Sequence, residues 1–474
     1  VVQTTKVFTP TKTPTHTSVK REGLWKELSE LAEQGGAFIP VLGVTKLGKT
    51  TLVKGVMQRG AHVYVPAQEL TTGSSALWSR LATALEIPSS TTKGKVVGDK
   101  TKWGFFGKFG VTVPGFNAGA GSNVEGEHSL DKSTGANYEV ELSTAVTEAM
   151  RLLAVAAEAK SDHPPVIVLD DFHFVTDTQT RRELLLALRP VMENDATLIL
   201  ASLPGREHDE AYDGTNLDGR LTPVMVPIWD REELREIATR GFATLKVTPQ
   251  PGVVDKLIEQ SYGSPQIMQQ LCLNLCRLNN VNDDESGVGV LDSPDDWPRF
   301  FRQIKDSQSV KWLGLLGLGL TQRGNPRNRV ELDDGRSFDG YQLILWAIHE
   351  LGSPNKVAFT IVANKIAELL GRPVADLGAY ALEQKAKNMN VVATREMKDA
   401  LAKHTASTAE PSDDELDIEL TTFSADEIEM AELIPQPVFE VSGDKAADMT
   451  LRIMNPLLAY ALTWHPESFE TPKK

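Results

Sequence analysis

Apolar positions recur along this chain in two spacings: short continuous runs, and runs with a period of three to four. The continuous runs fall at 37–42, 61–65, 166–169, 197–201 and 224–226. Each is too short for a helix of usual length and predicts a buried strand. Between them the period lengthens. Leu24, Leu28 and Leu31 place one face on a helix over 21–34, and similar spacing predicts helices at 75–85, 141–159 and 181–191. Strands alternating with helices predict an α/β fold, a parallel sheet covered on both faces. From Asp230 the pattern turns mainly helical, at 232–242, 252–260 and 265–278. A polar stretch at 282–300 reads as a linker. Beyond Phe300, helices are expected at about 340–351, 357–371 and 374–389, then a hairpin from 438–444 and 449–453. Two segments break the pattern. Residues 93–135 interleave glycines with Trp103, Phe105, Phe106, Phe109 and Phe116, which reads either as a surface insertion or as an interaction loop. Residues 400–432 form an acidic insertion. Residues 1–20, with Pro10 and Pro14, read as an extended arm without a core of its own.

The turn after the first predicted strand changes the picture. It reads Gly43-Val44-Thr45-Lys46-Leu47-Gly48-Lys49-Thr50, the full G-x-x-x-x-G-K-[ST] pattern, and Thr51 opens the following helix. Glycines let successive backbone N–H groups point at phosphate oxygens. The lysine reaches the β- and γ-phosphates, and the hydroxyl after it ligates Mg²⁺. Set between a strand and a helix, this predicts an ATP–Mg²⁺ site. A second part is needed: a carboxylate at the end of a buried strand. Asp170 supplies it, as the expected magnesium partner of Thr50, and Asp171 is the expected base for the attacking water. Ser202 ends the next strand, either as a γ-phosphate sensor or as an ordinary strand end. Arg206 and Arg220 are candidates for an arginine finger, against the simpler reading of surface arginines.

Charge and cysteine content narrow the partners. The 474 residues carry a formal net charge of −15, which argues against nucleic acid binding over the whole surface. Cys272 and Cys276 make no disulfide framework and read as small buried apolar residues. No apolar run nears the roughly 18 residues of a membrane helix. The first residues have no apolar signal core, so a cytoplasmic location is the expectation.

Read together, the motifs resemble those of STAND and origin-recognition-type AAA+ ATPases. Lys20-Arg21-Glu22 is similar to their Arg-Glu motif, with Lys20 where a glycine is usual; Asp170-Asp171 resembles their two-acid strand end; Gly263-Ser264-Pro265 resembles the Gly-x-Pro motif of STAND proteins. The segments around Phe8-Thr9-Pro10, Val226-Pro227-Ile228-Trp229-Asp230 and Ile453-Met454-Asn455-Pro456 look like a bacterial subgroup of these ATPases. The resemblance implies that Arg21 and Pro265 meet the adenine. It implies a P-loop ATPase core over 21–228, a helical lid over 229–299 and a winged-helix domain over 300–474. It implies slow hydrolysis of ATP to ADP and phosphate, and a switch controlling assembly with itself or a separate effector protein, often in antiviral defence. DNA engagement by the winged helix is the rival expectation. The helix expected there carries Lys385 and Lys387 but also Asp376 and Glu383, which favours a protein partner.

Overall fold

A computed structural model describes residues 1–57, 60–87, 142–160, 162–204, 212, 215, 218–320, 327–332, 335–393 and 438–469. Both insertions, 93–135 and 400–432, lie outside the described residues, as does Arg206. The chain divides into two compact units. One comprises Val1–Val19, Val44–Leu47 and Pro227–Lys474; the other comprises Lys20–Gly43 and Gly48–Val226.

The second of these is the α/β unit. Its strands are β1 (Phe38–Leu42), β2 (His62–Pro66), β3 (Val166–Asp170), β4 (Thr197–Ser202) and β5 (Val224–Met225). They form one parallel sheet in the order β2-β3-β4-β1-β5. β1, β3 and β4 are buried at every position, because helices cover both faces of a parallel sheet; that is why they read as unbroken apolar runs. β2 is an edge strand and alternates instead, with Val63 and Val65 buried and His62 exposed. The helices are α1 (Glu22–Glu33), α2 (Lys49–Val56), α3 (Ser74–Ala84), α4 (Leu142–Lys160) and α5 (Thr178–Met192). Leu77 and Leu81 of α3, Met150 and Leu153 of α4, and Leu184 and Leu188 of α5 share one core with Ile167, Leu169, Leu198 and Leu200 of the sheet. α5 starts three residues before the periodicity suggests, because the Asp177 side chain accepts a hydrogen bond from the Thr180 N–H at 2.6 Å and caps it.

The other unit holds helices Arg231–Thr244, Val253–Glu259 and Pro265–Leu278. Asp230 and Glu233 form a reciprocal capping box on the first. The amino-terminal segment corrects an expectation. Thr4–Val7 is a helical turn, Val7 and Phe8 are fully buried, and the Phe8 ring lies 5.3 Å from that of Phe242. The Thr9 N–H donates to the Gln269 amide oxygen at 2.8 Å. The segment therefore shares this unit's core rather than extending from it. The expected linker is likewise tied down: Val290–Leu291 pairs with Thr248–Pro249, and the helix Trp297–Phe301 buries Phe300 and Phe301.

Further along the same unit come helices Ser307–Leu318, Gly340–Glu350 and Phe359–Leu369. The first was missed in the periodicity, although Trp312, Leu313 and Leu316 carry it. The helix expected at 374–389 is two pieces: a 3₁₀ stretch Val374–Tyr380, then a helix over 382–393. Ala381 separates them in a left-handed conformation, φ 45°, which no α-helix continues through. Lys356–Ala358, Thr450–Ile453 and Phe439–Ser442 form a three-stranded antiparallel sheet with Thr450–Ile453 central. The helix Pro456–Trp464 follows, and its Tyr460 hydroxyl donates to the Phe301 carbonyl at 2.6 Å. The expected lid and C-terminal domain thus fall in one compact unit. Among the described residues no helix is long and apolar enough to cross a membrane.

Candidate nucleotide site

In a parallel sheet all strands end at the same edge, and loops leaving that edge converge. The register places Leu42 beside Ser202 and Pro66 beside Asp170, so the ends of β1, β4, β2 and β3 are aligned. Gly43 leaves β1 there, and its N–H donates to the Ser202 carbonyl at 3.2 Å. A Cβ at Gly43 would lie 2.7 Å from the Val226 carbonyl oxygen, so no other residue fits. Gly48 stands at φ 85° as the N-cap of α2, a backbone that only glycine adopts without strain. Lys49 and Thr50 then form the first turn of α2, the end of a helix at which backbone N–H groups favour anions.

The side chains close around this turn. The Lys49 ammonium is buried and donates to the Gly43 carbonyl at 2.8 Å. The Thr50 hydroxyl donates to Asp170 Oδ2 at 2.7 Å, across 120 residues of sequence. Asp170 Oδ1 accepts the Asp171 N–H at 3.0 Å. Asp171 itself has φ 54° and caps the short turn Phe172–Phe174. Burial lowers the Lys49 pKa below the usual lysine range, and the Asp171 and Asp170 carboxylates pull it back up. Burial, reinforced by the Asp170 charge, pushes Asp171 up to about 7, against Lys49 and a hydrogen bond from Gln68.

Two residues here were not anticipated. Tyr64 of β2 donates its phenol O–H to Asp170 Oδ2, and burial raises its pKa first of all, with Asp170 next. Gln68, on the turn Ala67–Leu70 after β2, hydrogen bonds Asp171. Neither carries a motif. Both become visible only once β2 is known to pair with β3.

The remaining expected residues are placed as follows. Ser202 is buried at the end of β4, beside Leu42. Arg220 goes elsewhere. Its guanidinium donates to the Gly36 and Met192 carbonyls, 3.2 and 2.9 Å away, ahead of β1 and β4 and so at the opposite, amino-terminal edge of the sheet. That is an anchoring role, and the finger expectation gains no support from it. Arg21 is half-buried as the N-cap of α1, its carbonyl accepting the Trp25 N–H. Thr51 is exposed on α2. In the other unit, the Thr45 N–H and hydroxyl both donate to the Met454 carbonyl at 2.9 Å, and the Leu47 carbonyl accepts the Trp229 indole N–H at 3.0 Å. Val44 is half-buried, and Lys46 is exposed with φ 61°. Pro265 sits at the first position of its helix, after the capping Ser264.

The donor set fits Mg²⁺. Thr50 offers a hydroxyl and Asp170 a carboxylate, both hard oxygens already in contact, and this ion takes one or two protein oxygens and fills the rest with phosphates and water. The buried Lys49 ammonium places a cation beside the same turn. Fold and site together define a P-loop α/β protein. No family model and no curated protein matches the chain. Solved structures similar to it include the Walker-type ATPase of Pyrococcus abyssi, 15% identical, covering 94% of this chain and 95% of that chain, TM-score 0.46. The ORC2 protein of Aeropyrum pernix is 12% identical, covering 98% and 97%, TM-score 0.39. The Thermotoga maritima RuvB branch migration motor is 13% identical, covering 77% and 86%, TM-score 0.31. At these values the likeness adds nothing to the geometry above.

Proposed function

We propose that this chain is an ATP-binding switch of the AAA+ and STAND kind that hydrolyses ATP slowly in an Mg²⁺-dependent reaction. The observation that carries the reading is the hydrogen bond from Thr50 to Asp170, beside the buried Lys49. It joins the two halves of an ATPase site that the sequence separates by 120 residues. Thr50 and Asp170 would hold Mg²⁺, which when bound offsets phosphate charge and orients the terminal phosphoryl group. Lys49 binds phosphate oxygens. Asp171 accepts a proton from the attacking water, and Gln68 fixes its carboxylate. Ser202, at the same sheet edge, senses the γ-phosphate.

The C-terminal helices with the three-stranded antiparallel sheet have the composition of a winged-helix module. In this reading they serve protein contact, and the output is assembly with a second copy or with an effector from another chain, in a setting such as bacterial antiviral defence. Light scattering with ADP and with a non-hydrolysable ATP analogue tests the switch. Different masses in the two states are expected; equal masses, with no nucleotide-dependent partner binding, would remove assembly from the reading. Phosphate release in the presence and absence of Mg²⁺ tests the hydrolysis.

A further inference from the structure

We propose that Tyr64 is a positioning residue that keeps the Asp170–Thr50 pair closed to divalent cations until a nucleotide supplies the missing ligands. The proposal rests on the ATP–Mg²⁺ reading above. Tyr64 sits on β2 opposite Val168 of β3, two residues before Asp170 in the chain. Its hydroxyl and the Thr50 hydroxyl converge on one oxygen, Asp170 Oδ2, while Oδ1 takes the Asp171 N–H. The Lys54 ammonium of α2 lies 4.6 Å from the centre of the Tyr64 ring and restrains it. Asp170 is buried, so this carboxylate depends on protein donors rather than water.

Each donor on a carboxylate spreads part of its charge and weakens its hold on a cation. A cation arriving at Oδ2 takes over the lone pair of Thr50 and repels the positive end of the phenol dipole. The Tyr64 bond is therefore stronger in the empty site than in the filled one. Its effect is to lower cation affinity, most of all when no phosphate oxygens are present. A cation would then bind only together with nucleotide.

Tyr64→Phe removes the hydroxyl and leaves the ring. The measurement is Mn²⁺ binding to the full chain, read from the loss of the free-ion EPR signal, with and without ADP. The expected result is about tenfold tighter Mn²⁺ binding in Tyr64→Phe with ADP, the size of a lost hydrogen bond to a charged group. A still larger gain is expected without ADP. Metal-free ADP affinity should not change, which a merely structural hydroxyl would not single out. Adding Asp170→Asn to Tyr64→Phe should erase the gain. Unchanged or weaker Mn²⁺ binding in Tyr64→Phe overturns the proposal alone. A wild-type chain without any ADP-dependent Mn²⁺ site overturns the ATP–Mg²⁺ reading, and this proposal with it.

Discussion

Two clusters of charge in this molecule look alike on paper and differ in kind. At the sheet edge, Lys49 lies near Asp170 and Asp171; Lys49 and Asp170 are buried and Asp171 is half-buried. On the helices of the other unit, Arg235 meets Asp255 at 2.7 Å and Glu232 at 3.6 Å, and Arg231 meets Asp255 at 3.1 Å. The second cluster holds several close ion pairs. Its side chains are nevertheless a third to four-fifths exposed, so water solvates each charge almost as well as its partner does. Arg235, ahead of Arg231, holds Asp255 below the usual carboxylate range, and nothing stays unbalanced. In the first cluster the balance fails: burial opposes the charge on Lys49, and burial together with the Asp170 charge opposes it on Asp171. Keeping such groups is unfavourable for the folded chain, and a ligand that supplies the missing charges relieves it.

The largest effect should come from Lys49→Ala. It removes the cation that the phosphates require, and ATP affinity should fall at least about a hundredfold, as for a loss of two hydrogen bonds to charged groups. Fluorescent nucleotide titration measures it. Affinity within error of wild type would make the loop structural and erase the contrast between the two clusters.

Asp171→Asn comes next. Turnover should fall by about 10²–10⁴, the range for removal of a general base, with nucleotide affinity retained. A phosphate-release rate equal to wild type would reduce the protein to a nucleotide-binding scaffold. Gln68→Ala should act in the same direction with less force. The lost hydrogen bond to Asp171 predicts a drop in turnover of about tenfold.

Those residues also show what a reader of the sequence could and could not find. Gly43 to Thr50 and the pair Asp170-Asp171 are legible because each occupies a fixed place relative to an apolar run. Tyr64 and Gln68 are not, because their importance depends on which strand lies beside β3. Neighbours in a parallel sheet need not be neighbours in sequence: β2 and β3 are paired although residues 67–165 separate them. The alternation of His62-Val63-Tyr64-Val65 does mark an edge strand, and its half-buried Tyr64 was the one available signal. The place of Arg220 is illegible for a related reason. It lies close before β5 in sequence, but at the amino-terminal edge of the sheet, away from the phosphate loop. In the other unit, Phe8 lies in a polar stretch rich in Thr and Pro, and only the fold reveals the apolar surface that it covers.

The smallest effect should come from Arg235→Ala, and it tests the comparison from the other side. Arg235 donates to Asp255 at 2.7 Å, a close ion-pair distance. If proximity alone set importance, its loss would be felt strongly. The geometry says otherwise. Asp255 keeps Arg231 and stays open to water, and the helix Arg231–Thr244 retains its capping box. Turnover and nucleotide affinity should match wild type, and the melting temperature should shift by an amount near the limit of detection. Any shift should vanish in about 1 M salt, where the screening length falls to about 3 Å. A large, salt-resistant loss of stability would mean that the pair is desolvated in some assembled form of the protein, and the exposed cluster would then belong to an interface.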